Sequence, residues 1–198
     1  FSASPAESTD DGTRFNAPGW ISGAVTLGMG DTSGDASLKI VAVRFPNITI
    51  PQGATINSAS ISFISSFTTT DVIDTIIYGI DEDNTTTFSS DPTGRTKTTA
   101  SNTWTVSGST AEQTHTTSSI TTIVQEIVDR GGWVSGNAMG FLIQNNGTTG
   151  DKSINLYAFD NGSKEAVLNV NYETAESKTV IFRGRSRYIT PREDVTIE

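Results

Sequence analysis

The sequence has no cysteine and a single histidine, His115. Without thiols there is no disulfide framework, no thiolate metal site and no cysteine nucleophile. Stability must then come from a buried core, which 198 residues are long enough to build. Charged residues are also scarce, at 18% against 34% hydrophobic, which is not the charge-rich signature of disorder. No apolar run approaches the roughly 20 residues of a membrane span. A net charge of −9 argues against a phosphate-backbone partner, so no nucleic acid is expected. A Walker A loop, a dinucleotide fingerprint, an HExxH pair and a nucleophile elbow are all missing. The chain starts at Phe1 with no signal-peptide pattern, so it reads as processed or cut from something longer.

Ser, Thr, Asn and Gly fill the space that charge and hydrophobicity leave. Thr suits pleated, half-wet surfaces, and Gly and Asn supply turns. Such a composition is common among extracellular β proteins. The run Ile56 to Ser65 has a strong period of two, with Ala59, Ile61 and Phe63 on one face and Ser58, Ser60 and Ser62 mostly toward solvent. Further strands are predicted at 24–27, 38–45, 72–80, 104–106, 138–144, 153–159 and 166–172, and 85–101 reads as a long polar loop. Ile50 to Ala54 reads as a turn, and Asn145-Asn146-Gly147 and Asp160-Asn161-Gly162 read as hairpin turns. One segment departs from the period of two. Ile120, Ile123, Val124, Ile127 and Val128 form a helical stripe, which predicts a helix over 119–130 capped by Ser118 or Ser119. About eight strands and one helix point to an all-β, two-sheet antiparallel sandwich, with jelly roll the preferred topology.

The segment Arg44-Phe45 … Ile50-Pro51-Gln52-Gly53-Ala54-Thr55-Ile56 … Ala59-Ser60-Ile61-Ser62-Phe63 resembles a block in β-sandwich modules of secreted and phage-associated proteins. The block continues through Ile123 to Trp133, then Gly136-Asn137-Ala138 and Phe141. Asp10-Asp11 and the closing run Val167 to Tyr172 fit the same pattern, so the resemblance covers roughly residues 8–173. Similar domains look like carbohydrate-binding modules and occur beside polysaccharide-degrading enzymes, in adhesins and in virion proteins. The resemblance therefore implies display and binding on an extracellular or virion surface, with no catalytic residue to carry over.

The residues themselves say the same about chemistry. His115 stands in the polar stretch Thr114 to Thr117 and reads as a solvated loop histidine rather than a base. Glu126 and Asp129 share the helix, but the buried stripe turns both toward water. No enzyme is expected. A hard cation such as Ca2+ needs several oxygens. Its candidate ligands are Asp10 and Asp11 near the first strand and Asp160 in the turn before the last, with Asp81 and Asp83 as a second choice. Sugar binding by a sandwich needs exposed aromatic faces. Trp104 and Trp133 read as core, while Trp20, Tyr78 and Tyr157 are the candidate platforms.

Residues 1–173 hold 8 basic and 18 acidic residues for a net of −10, whereas 174–198 reverses the balance. Arg183, Arg185, Arg187, Tyr188 and Arg192 lie there in strand-forming sequence, as a basic arm for pairing with neighbouring subunits. A further hairpin on the same domain, or a linker, fits the segment equally. The leading expectation is a structural and adhesive module, and the alternative is a carbohydrate-binding module of a larger polysaccharide-active protein.

Overall fold

A computed structural model describes residues 1–16, 19–31 and 39–174. Twelve strands and one α-helix occur among them. In chain order these are β1 (Ser2–Ala3), β2 (Asp11–Arg14), β3 (Trp20–Ser22), β4 (Thr26–Asp31), β5 (Ile40–Phe45) and β6 (Thr55–Ile64). There follow β7 (Thr69–Ile80), β8 (Lys97–Ser109), β9 (Thr114–Thr116), α1 (Thr121–Val128), β10 (Met139–Asn145), β11 (Lys152–Tyr157) and β12 (Val167–Glu173).

The strands pair as nested hairpins. β1 pairs with β12, β4 with β11, β5 with β10, β6 with β9 and β7 with β8, all antiparallel. The nest is then rolled so that β12 also pairs with β6 and β10 with β7. This gives a four-stranded sheet, β1-β12-β6-β9, facing a six-stranded sheet, β3-β2-β5-β10-β7-β8. Eight of these strands have jelly-roll wiring, and β2 and β3 extend one edge. The pair β4 and β11 forms a third, two-stranded sheet, tied to the end of β6 by a bridge from Ser65 to Leu156. The expected all-β sandwich is therefore present, with a third small sheet added.

Alternation explains the core. Val41, Val43 and Phe45 from β5, Ile61 and Phe63 from β6, and Ile73 and Ile77 from β7 are all fully buried between the layers. Phe63 stacks on Trp104 with ring centroids 5.9 Å apart. Helix α1 buries Ile123, Val124, Ile127 and Val128, and Trp133 donates from its indole nitrogen to the Ile50 carbonyl. Its Gln125 side chain bonds both Ile56 N and the Ala54 carbonyl, which fastens the helix to the start of β6.

Four local expectations fail. β8 runs from Lys97, well inside the segment read as loop, because its polar residues complete the ladder with β7. His115 is in a strand, β9, opposite Phe63, and is 8% exposed. The N-cap position of α1 falls on Ile120, one residue past the expected serines; Ser119 Oγ still accepts from Thr121 N at 3.4 Å, whereas Ser118 donates to the Thr103 carbonyl of β8. The two Asn-Gly connectors are not hairpins, since β10 and β11 lie in different sheets and β11 does not pair with β12. Each instead carries the chain between layers, the second through a short 3-10 turn at Phe159–Asn161 closed by Gly162 at φ 86°.

Candidate functional site

The six-stranded sheet buries one face in the sandwich core, and its other face is where the sequence candidates meet. In β7 the core-facing residues are Ile73, Thr75 and Ile77, which turns Ile76 and Tyr78 outward, both half-buried. The cross-strand register aligns Trp20 with Arg14, Arg14 with Ile40, Ile40 with Gln144, Gln144 with Ile76, and Ile76 with Thr103. These six residues come one from each strand and form a row across the whole sheet, about 24 Å long at ~4.8 Å per strand. A second row runs parallel through Gly12, Ala42, Leu142, Tyr78 and Ser101.

A loop between β7 and β8 lies over one side of this face. Its Phe88 is fully buried and packs with Ile40, Ala42, Ile80 and Leu142 as a second, smaller core outside the sandwich. Trp20 belongs to that cluster. Its ring meets Phe88 edge-on at 6.0 Å, and its indole N–H donates to the Phe88 carbonyl at 3.0 Å. Trp20 is thus a half-buried wall rather than a free platform. Arg14 holds Asp91 of the loop at 2.7 Å through Nε, while its Nη1 finds no acceptor among the described residues. Lys97 Nζ sits 5.1 Å from the centroid of the Tyr78 ring.

Tyr157 is placed elsewhere. It stands on β11 in the small third sheet, donates to Glu112 at 2.8 Å and lies under Lys164, which pairs with Glu112 at 2.6 Å. The structure therefore joins Trp20 and Tyr78 on one face and separates Tyr157 from them. The reading by residue type passed over Arg14, Gln144, Ile76 and Thr103. Strand parity marks them as outward, but only the register shows that they line up.

The three acids proposed as cation ligands do come together, from opposite ends of the sequence. Asp10 is fully engaged, with Arg44 and Ala6 N on its two carboxylate oxygens. Asp11 is 0% exposed, accepts from Phe159 N at 2.8 Å through Oδ2, and has no partner for Oδ1. Asp160 accepts from Ser8 Oγ at 2.6 Å through Oδ1, and its buried Oδ2 is likewise unpartnered. Burial pushes the Asp11 carboxyl up to about 7. The Phe159 N–H opposes that rise, and the negative charges of Asp160, Asp10 and Glu165 add to it. Two orphaned carboxylate oxygens fit the donor chemistry of a hard cation, the rest of whose shell would be backbone oxygen or water. Among the described residues no group of three or more His, Cys, Asp or Glu side chains is arranged to hold a metal.

The remaining candidates have structural partners. Asp81 and Asp83 both pair with Arg130. Glu126 accepts from Thr99 N at 2.7 Å and Ala100 N at 2.8 Å, so it caps the free edge of β8. Asp129 accepts from Gln125 at 2.9 Å. His115 Nε2 has no hydrogen-bond partner among the described residues, and burial lowers the affinity of the ring for a proton. Arg183, Arg185, Arg187, Tyr188 and Arg192 lie outside the described residues. A groove of about 480 Å³ opens where β7 begins and β8 ends, lined by Thr69, Thr70, Val72, Ser107, Thr110 and Gln113 among others, none of them ionisable.

No protein-family model matches the chain, and no curated protein matches it. A matching solved structure is the isomalto-dextranase of Arthrobacter globiformis T6 complexed with panose, at 13% identity and a TM-score of 0.38. The match covers 80% of this chain and 21% of that one, so the chain spans about a fifth of the enzyme's length. A likeness of this size decides neither fold nor activity, and the outer face is read below from its own residues.

Proposed function

We propose that this sandwich is a non-catalytic module of an extracellular or virion surface protein that holds a neutral polysaccharide segment across its six-stranded sheet. The observation that supports this is the row Trp20, Arg14, Ile40, Gln144, Ile76 and Thr103. Its open part, Gln144, Ile76 and Thr103 with Tyr78 beside them, runs across the strands next to the loop that covers Ile40 and so suits a linear ligand. Its chemistry is mixed in the way a sugar chain requires. Trp20, Ile76 and the neighbouring Tyr78 offer half-exposed apolar surface to pyranose C–H faces. Gln144 and Thr103 offer hydrogen bonds to hydroxyls. The acids and the histidine that a hydrolase would use are engaged in structural contacts or buried, which favours binding over turnover.

Affinity electrophoresis and a glycan array with the full chain test this reading. Retention by one or more plant, algal or bacterial polysaccharides is expected, with a tenfold or greater loss in Gln144→Ala and Tyr78→Ala. Failure to retain any of them, or retention unaffected by both substitutions, removes the proposal. Release of reducing ends by the purified chain would overturn the non-catalytic part.

A further inference from the structure

An asparagine side chain can be attacked by the main-chain nitrogen of the residue that follows it, provided that nitrogen is free. At Asn47, Asn84, Asn137, Asn145 and Asn161 it is not free, because each following N–H is held in a hydrogen bond of 2.8 to 3.0 Å. Gly162 N, for example, donates to the Phe159 carbonyl inside the 3-10 turn. Asn146 differs from all five. Gly147 N has no hydrogen-bond partner among the described residues, and Asn146 and Gly147 are both exposed. A Cβ built on Gly147 would meet nothing within 4 Å, so the space around that nitrogen is open.

The flanks of this turn are fixed while its middle is open. Asn145 Oδ1 accepts from Thr148 N and Asn145 Nδ2 donates to the Thr148 carbonyl, both at 2.9 Å, so one side chain brackets the turn. Thr148 Oγ1 accepts from Asp74 N at 2.7 Å, and Asn146 N donates to the Asp74 carbonyl at 2.9 Å. These two bonds tie the turn to β7. Gly147 stands at φ 91°, where a side chain would be strained, so the turn itself calls for the residue that leaves the nitrogen least hindered.

We infer that Asn146 converts itself to aspartate and isoaspartate in the folded protein, with water as the only co-reactant, and that the conversion loosens the hold of this turn on β7. Hydroxide takes the Gly147 amide proton, and the nitrogen bonds to Asn146 Cγ. The side-chain nitrogen takes a proton from water and leaves as ammonia, which closes a five-membered imide. Water then opens the ring. Opening at Cγ leaves aspartate, and opening at the main-chain carbonyl leaves isoaspartate, with the chain running through Cγ. Either product places a new negative charge near Asp74, which is itself exposed. Isoaspartate also lengthens the main chain by one carbon inside the bracket that Asn145 closes around Thr148. Gln144 is two residues upstream on β10, so the change falls at the border of the outer face. The site and its effect on the turn do not depend on the polysaccharide reading.

The full chain is aged at pH 6 and pH 8, both folded and in guanidinium chloride, and then digested with trypsin for mass spectrometry. Asn146 falls in the peptide Gly131–Lys152 and Asn161 in the peptide Ser153–Lys164. In the folded protein the first peptide should gain about 1 Da at Asn146, faster at pH 8, and an isoaspartyl methyltransferase with a labelled methyl donor should mark it. Asn161 should convert about tenfold more slowly, because Gly162 N must first leave its hydrogen bond. In denaturant that difference should vanish. Asn146→Gln should abolish the change, since its ring would need six members. The isoaspartyl form, separated by ion exchange, should melt roughly 2 to 6 °C below both the unconverted protein and Asn146→Asp, which adds the charge alone. Folded protein that keeps Asn146 while the denatured sample converts overturns the site, as does Asn161 converting at the same rate as Asn146 in the fold. An isoaspartyl form that melts with the unconverted protein overturns the loosened turn.

Discussion

Trp20 and Phe88 are locked to each other twice, by an indole N–H to carbonyl bond of 3.0 Å and by an edge-on ring contact at 6.0 Å. One belongs to the edge strand β3 and the other to the loop after β7. The pair therefore closes a small apolar cluster on a sheet face that would otherwise be bare.

Removing the plug should separate that cluster from the main core. Phe88→Ala is expected to cost about 3 to 5 kcal/mol, as for a large buried aromatic, while leaving the sandwich folded. Chemical denaturation measures the cost, and a red shift of Trp20 emission reports that its ring has become wet. An unchanged midpoint would mean that the loop contributes nothing.

Gly12 tests the same region from below. A Cβ built there would lie 2.6 Å from the Trp20 ring and 2.4 Å from the Ile21 carbonyl, neither of which can yield cheaply. Gly12→Ala should push β3 away from β2, lower stability by about 1 to 3 kcal/mol and weaken ligand retention. A crystal structure of the variant with Trp20 unmoved would contradict this.

His115 gives a pH dependence whose sign follows from its burial. Burial lowers its pKa from the ordinary 6.5, so below that value the unfolded chain takes up the proton first. Stability due to this group is complete above about pH 6.5 and is lost as pH falls. Asp11, held up near 7, titrates in the opposite sense over the same window. Thermal midpoints of wild type and His115→Gln should therefore be compared at pH 7.5 and 5. Wild type should lose more on acidification than the variant, and equal losses would show the imidazole to be protonated in place.

The edge of β8 offers a fourth test. Glu126 takes two backbone N–H groups that would otherwise be open to another strand. Glu126→Ala should lower stability by about 2 kcal/mol and raise concentration-dependent association, read by light scattering.

The fold was legible where apolar and polar residues alternate, as in β6 and β7, and the helix stripe named its four buried residues correctly. β8 was half missed because Lys97 to Asn102 carry little apolar signal and become a strand only by pairing with β7. β9, with Thr-His-Thr, has the same problem against β6. The Asn-Gly connectors revealed turns but not partners, since a turn residue fixes its own φ and not the sheet that the chain enters next. For the site, Asp10, Asp11 and Asp160 were visible as acids, whereas the engagement of Asp10 with Arg44 was not. The one aromatic residue in the polar stretch 85–101, Phe88, was the available clue that this loop folds back onto the sheet.

Nested pairing also decides when the molecule can fold. Every pair but the innermost few joins residues far apart in sequence, and β1 finds its partner only when β12 exists. Such a chain closes from the tip of β7–β8 outward, slowly, with the strands at its open end unpaired until the last of them arrives. During synthesis, those waiting strands are where a chaperone has most to protect.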